Sequence, residues 1–245
     1  MIPVLELQNV TRRFGGLRAV KSVSLAMNAG EILFIIGPNG AGKTTVFNLI
    51  SGFLHPNEGV ILFQGKDVTT MPPHRAARLG IGRTFQIVKP LPSLTVLQNV
   101  MLGAFMHTGR LRQAEEESAK ILDFLQMSHL SKFLAAGLPL AALKRLEIAR
   151  ALAIKPKLIL LDEVVSGLTT SEALALAGLV KRLPEWGVSV VGGVEHVMQV
   201  VMKIADRVIV LDYGAKIAEG TPAEVVKLPV VIEAYLGPKY KELTQ

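Results

Sequence analysis

The segment EILFII (Glu31–Ile36) runs directly into GPNGAGKTT (Gly37–Thr45), and no other feature limits the fold as strongly. A near-continuous apolar run of this length reads as a strand buried on both faces, which is a parallel-sheet environment. The turn that follows fits G-x-x-x-x-G-K-[ST] and opens a helical pattern, the context in which that motif carries meaning. Its glycines let the backbone wrap an anion with N–H groups pointing inward. The helix N-terminus adds a positive dipole end. Lys43 is expected to reach the β- and γ-phosphates of a nucleotide, and Thr44 to hold Mg²⁺. Gly37, Pro38, Asn39, Gly40, Ala41, Gly42, Lys43, Thr44 and Thr45 are therefore candidate contacts to ATP.

A phosphate cradle of this type needs an acidic partner at the end of a neighbouring strand. LILLDE supplies it: four apolar residues, then Asp162 and Glu163. Asp162 is expected to bind Mg²⁺ through water, and Glu163 to polarise the attacking water as general base. Short apolar runs LILL, VSVV and RVIVL alternate with helical patterns or turns from Leu158 onward, a βαβ layout. Val4–Val10, Val23–Met27 and VILFQ (Val60–Gln64) read as further strands, and DYGAKIAEG as a hairpin turn and strand. Between about Pro90 and Ala136 the period becomes helical. Thr95 stands as a cap, and Leu111, Ala114, Ile121, Leu122 and Leu125 form one face of the next helix. TPAE (Thr221–Glu224) is a capping box with Pro at the first helical position.

The stretch AAGLPLAALKRLEIARAL (Ala135–Leu152) divides in two. Leu143, Leu146, Ala149, Leu152 and Ala153 lie on one helical stripe, with Lys144, Arg145, Glu147 and Arg150 mostly elsewhere. The segment before it, broken by Gly137 and Pro139, offers no Ser, Thr, Asp or Asn to cap that helix.

Bulk properties narrow the function classes. The 245 residues hold one large domain or two small ones, and 50% hydrophobic residues exclude a disordered chain. Without cysteine there are no disulfides and no thiolate metal sites. No basic-then-apolar leader precedes the first strand, so no secretory signal is expected, and no uncharged apolar run reaches spanning length. The net charge of +7 is scattered and only 5% of residues are aromatic, so a base-stacking nucleic-acid surface is not expected.

With these motifs in order, the chain resembles the ATP-binding subunits of ABC transporters along nearly its whole length. GIGRTFQ, SLTVLQNV, RLEIARAL, AEGTPAEV and VIEAYLG are similar to the ATPases of branched-chain amino acid importers, and RTFQ to one of the two paired subunits, the other usually carrying PEGR. The resemblance implies an α/β P-loop NTPase (RecA-like) core with an N-terminal antiparallel β subdomain and a helical insert. It implies one ABC ATPase domain over 1–245, with 1–86 and 137–245 as the nucleotide-binding core and 87–136 as the helical subdomain. It makes Gln86 the Mg²⁺- and water-sensing glutamine, His196 the γ-phosphate-contacting histidine, and Phe14 the aromatic stacked on adenine, with Val20 also among the nucleotide contacts. It implies a second ABC ATPase subunit, paired head to tail as a homo- or heterodimer. It further implies transmembrane permease subunits docked on the insert, with VKPLPSL (Val88–Leu94) a candidate contact, and indirectly a solute-binding protein. The location implied is cytoplasmic, peripheral on the inner face of the cell membrane. Related ATPases serve importers of urea or amides, or lipopolysaccharide export. ABC ATPases that act on DNA or ribosomes usually carry coiled-coil insertions or two cassettes, which are absent from this sequence.

The sequence departs from the family pattern at several positions, most of all in one functional element. The signature loop, typically Leu-Ser-Gly-Gly-Gln, corresponds to Leu138, Pro139, Leu140, Ala141 and Ala142. In the family this loop completes the ATP site of the opposite subunit. Here the hydroxyl is gone, and Pro139 lacks an N–H as well. Val164 stands where Pro usually follows the catalytic glutamate, Thr169–Thr170 where Asn-Pro is frequent, and Val197 where Asp usually follows the histidine. These features imply an asymmetric ATPase: the site built on Lys43 and Glu163 is complete, and the signature lent to a partner is not. The alternative is an ATP-binding regulatory or structural subunit with little hydrolysis of its own.

Overall fold

The computed structural model describes residues 2–85, 90–193 and 198–236. Strands β1 (Leu5–Phe14) and β2 (Leu17–Met27) form one long antiparallel hairpin around Gly15–Gly16. They are longer than period-two alternation indicates, because register shifts interrupt the alternation beyond Leu7. β4 (Glu58–Phe63) and β5 (Lys66–Asp67) complete a four-stranded antiparallel sheet in the order β2-β1-β4-β5.

The second sheet has six strands, ordered β10-β9-β3-β8-β7-β6. These are β3 (Ile32–Ile36), β6 (Ile81–Arg83), β7 (Leu158–Asp162), β8 (Ser189–Gly193), β9 (Arg207–Asp212) and β10 (Ala215–Gly220). β3, β6, β7, β8 and β9 pair in parallel, and β10 returns antiparallel on β9. β3, β7 and β8 are buried along their whole lengths, which accounts for their unbroken apolar runs. The long crossovers between parallel strands carry the helices.

The helices are α1 (Lys43–Ile50), α2 (Pro73–Leu79), α3 (Val96–Ala104), α4 (Leu111–Phe124), α5 (Leu140–Ala153), α6 (Thr170–Val180), α7 (Met198–Ile204), α8 (Pro222–Val225) and α9 (Pro229–Leu236). Thr95 caps α3 in a full capping box with Gln98, and Thr221 and Glu224 do the same for α8. Thr169 caps α6 with Glu172, so the residue that departs from the family's frequent Asn-Pro has a local use. Leu111, the first residue of α4, is exposed, while Ala114, Ser118, Ile121, Leu122 and Phe124 are buried.

In α5, Lys144 and Glu147 are buried although they lie off the apolar stripe, and Leu143 is only half-buried. The helix is packed on one side by α3 and α4 and on the other by β6 and β7, so it has almost no solvent face.

Candidate active site

The site lies where open parallel sheets place ligands, outside the carboxyl ends of the strands. Residues 37–42 leave the end of β3 and turn into α1, with Gly37, Gly40 and Gly42 all at positive φ. Gly42 is the N-cap of α1, at φ 100°, and no acidic residue occupies the first turn. The loop is clamped from two directions. Gly214 N–H in the β9–β10 turn donates to Ala41 O at 3.0 Å, and Lys21 N–H in β2 donates to Gly214 O at 2.7 Å. A Cβ at Gly42 would run into the carbonyl oxygen of Ala19. Gly42→Ala therefore combines αL strain of ~1–2 kcal/mol with that clash. A fall in Tm of about 2–8 °C is expected on thermal denaturation.

Lys43 is buried, and its Nζ donates to Gly37 O at 2.7 Å and Pro38 O at 2.9 Å. The ammonium thus lies across the mouth of its own loop. Beside it opens a cleft of about 670 Å³, lined by Phe14, Ala19, Lys21, Lys43, Thr44, Thr45 and Tyr213 among others. Phe14 lines the cleft, with the Arg12 guanidinium 4.8 Å from its ring centroid. Val20 is not in the cleft wall. Strand alternation turns it into the core, fully buried, and presents its neighbours Ala19 and Lys21 instead. Tyr213 is a cleft residue that periodicity gave no reason to single out. It is a bulky side chain at φ 44° in a tight turn, and only the folding of β9–β10 against the phosphate loop brings it to the cleft that Phe14 also lines.

Asp162 ends β7, and its backbone pairs with Gly193 at the end of β8. Glu163 follows in the left-handed region at φ 47°, an uncommon backbone for a non-glycine residue. Its N–H donates to Gly193 O at 3.0 Å, and its carbonyl accepts from Ser166 N–H at 3.0 Å and from the buried Lys144 Nζ at 3.2 Å. Val164 and Val165, next along, are buried in the core. The second buried charge of α5, Glu147, accepts from Phe85 N–H at 2.8 Å, and burial pushes its carboxyl above the ordinary glutamate range. Thus α5 holds the backbone on both sides of the reaction centre through two charged side chains. Nothing along the chain separates these two from Arg145 and Arg150 on the same helix, because their burial depends on partners distant in sequence.

The Arg83 side chain is 8% exposed and that of Asp162 7%, and the guanidinium lies 3.3 Å from Asp162 Oδ2. Burial lowers the Arg83 pKa from its ordinary value and Asp162 opposes the shift. At the N-terminus of α5, Pro139 is the cap residue and makes no side-chain cap bond, while Leu140 is exposed and leans toward Gly167. The two remaining sequence-expected residues, Gln86 and His196, lie outside the described residues, as do Val88 and Lys89 of VKPLPSL.

The chemistry of the donors suits a hard cation. Thr44 and Asp162 offer oxygens, and among the described residues no cluster of three or more His, Cys, Asp or Glu exists to encage an ion. A cation there would complete its shell with phosphate oxygens and water, which is the habit of Mg²⁺.

Comparison with known proteins bears on what this arrangement is. The family described as "ABC transporter" matches residues 20–166, and "Branched-chain amino acid ATP-binding cassette transporter" matches residues 215–237. A probable branched-chain amino acid transport ATP-binding protein, LivG, of Archaeoglobus fulgidus is 38% identical, over 98% of this chain and 98% of its own. The high-affinity branched-chain amino acid transport ATP-binding protein BraF of Pseudomonas aeruginosa is 37% identical, over 96% and 98%. An ATP-binding cassette of an ABC transporter in its ADP conformation superposes with TM-score 0.88 at 34% identity, over 97% and 100%. A dimeric cassette in a post-hydrolysis state with ADP and Pi superposes with TM-score 0.79 at 27% identity, over 89% and 98%.

Proposed function

The chain belongs to the ATP-binding cassettes of ABC transporters, and from that premise we propose that it is the ATP-hydrolysing subunit of an importer for branched-chain amino acids. One observation carries the hydrolytic half: the phosphate loop after β3 and the Asp162–Glu163 pair after β7 open at the same edge of one parallel sheet. The solute rests on the relatives' names and on the match over residues 215–237.

In this reading the loop N–H groups and the α1 dipole bind the phosphates, and Phe14 stacks on adenine. On arrival of the nucleotide, Lys43 exchanges its loop carbonyls for the β- and γ-phosphate oxygens. Thr44 and Asp162 would hold Mg²⁺, with Gln86 as a further ligand, and the ion would supply positive charge that offsets charge developing during transfer. Glu163 accepts the proton of the attacking water, and His196 contacts the γ-phosphate. Lys144, Ser166 and Gly193 fix the backbone from which Glu163 projects.

Among the described residues no helix is long and apolar enough to cross a membrane. As a member of this family, the subunit would work at the inner face of the cell membrane against transmembrane partners and a second cassette. A groove of about 450 Å³ between α2, α3 and α5, edged by the exposed Phe53, Phe85 and Leu102, suits a cytoplasmic segment of such a partner. Co-expression with candidate permease subunits should yield a complex whose ATPase rate exceeds that of the chain alone. A chain that never co-purifies with them, with ATPase unaffected by their presence, would overturn the reading. A second reading, a subunit that binds ATP and hydrolyses little, is favoured by the bare N-terminus of α5.

A further inference from the structure

Arg83 stands between two places that the proposed function treats separately. On one side, its guanidinium donates to Asn48 Oδ1 and Ser51 Oγ, each at 2.7 Å, and to Asp162 Oδ2 at 3.3 Å. On the other side, it lies 5.5 Å from the ring centroid of Phe53 and 5.3 Å from that of Phe85. The two rings meet edge to face at 5.7 Å. Both are about half exposed, 51% and 46%, and both line the groove of about 450 Å³. Phe85 is fixed in turn by the bond from its N–H to the buried Glu147.

A purely architectural role does not account for this arrangement. Burying an ion pair seldom stabilises a fold more than an apolar replacement would. Arg83 Nε is buried with no hydrogen-bond partner among the described residues, which adds to the cost. The planar guanidinium can do what an apolar side chain cannot. One edge of it meets the Asp162 carboxylate while its charge lies within cation–π distance of two rings that reach the surface.

We propose that Arg83 is a positioning residue that couples the Phe53–Phe85 groove to Asp162, so that a partner seated on the rings alters how the carboxylate is presented to Mg²⁺. The coupling to Asp162 stands on this chain's own contacts; only the identity of the partner rests on the docking reading above. Side chains that orient a metal-binding carboxylate influence metal affinity about 10–100-fold. A ring lost from the guanidinium face should have a smaller effect of the same sign.

The test uses the full chain in a Glu163→Gln background, with binding of a fluorescent ATP analogue titrated with Mg²⁺ and repeated in EDTA. Arg83→Lys is expected to raise the Mg²⁺ concentration for half-maximal tightening about 10-fold or more, with binding in EDTA unchanged. Phe53→Ala should raise it by about three-fold, the scale of one cation–π contact, and Phe53→Tyr should not. Phe53→Ala added to Arg83→Lys should give no further shift. An Arg83→Lys protein that melts earlier at an unchanged Mg²⁺ midpoint would overturn the proposal. So would Phe53→Ala leaving the midpoint untouched while Arg83→Lys moves it. Failure of the docking reading looks different: Phe53→Ala would shift the Mg²⁺ midpoint yet co-purify with transmembrane subunits as well as wild type does.

Discussion

Glu163→Gln is expected to stop steady-state ATP hydrolysis while leaving ATP binding intact. The exchange keeps shape and volume and removes the ability to take a proton, which accounts for about 10²–10⁴ in rate when the group is the general base. Nothing else in the site should move. The backbone at residue 163 is set by Gly193, Ser166 and Lys144 through main-chain atoms, and none of these contacts involves the carboxylate. Equilibrium binding of a labelled ATP analogue should match wild type within error while phosphate release falls to background. A variant that turned over at the wild-type rate would remove Glu163 from the role of base.

The second large effect concerns the N-terminus of α5. The purified chain, paired only with itself, should hydrolyse ATP slowly, because each site would receive Pro139–Leu140–Ala141–Ala142 in place of a donor-bearing loop. Restoring the family sequence, with Pro139→Ser, Leu140→Gly, Ala141→Gly and Ala142→Gln, should raise phosphate release by about 10²–10³, the scale of one donor to transition-state charge. The stability change should be small. Ser at the cap position contributes about 1 kcal/mol, and glycine in the first turn costs a similar amount. Brisk, cooperative turnover by the unmodified chain without any partner would sink the asymmetric scheme. It would show that the helix N-terminus alone suffices.

Much of this was legible in the residues. A strand buried on both faces cannot alternate, so EILFII, LILL and VSVV had to belong to a parallel sheet, and a glycine-rich turn ending in Lys-Thr has few uses other than to wrap phosphate. Caps were readable for the same local reason: Thr95 with Gln98, and Thr221 with Glu224, satisfy orphan N–H groups within four residues of chain. The missing cap of α5 was equally local, and the structure bears it out.

Other features were not local and could not be read. Val20 was expected at the nucleotide and faces the core, because which face of β2 meets the cleft depends on how the hairpin packs on the phosphate loop. Leu111 shares the apolar face of α4 yet is exposed, and periodicity assigns a face without saying how much of it is covered. Lys144 and Glu147 lie off the apolar stripe of their helix, and nothing in type or spacing singles out Arg83. They are buried because α5 and β6 are enclosed by other elements, and a buried charge persists only where distant atoms meet it. Those atoms are the carbonyl of Glu163, the N–H of Phe85 and the carboxylate of Asp162. From sequence alone came the sheet, the phosphate loop, the acidic pair and the damaged signature, since each is set by neighbours along the chain. Only the tertiary structure decided how three buried charges tie α5 and the Phe53–Phe85 groove to the reaction centre, because their partners come together only when the layers pack.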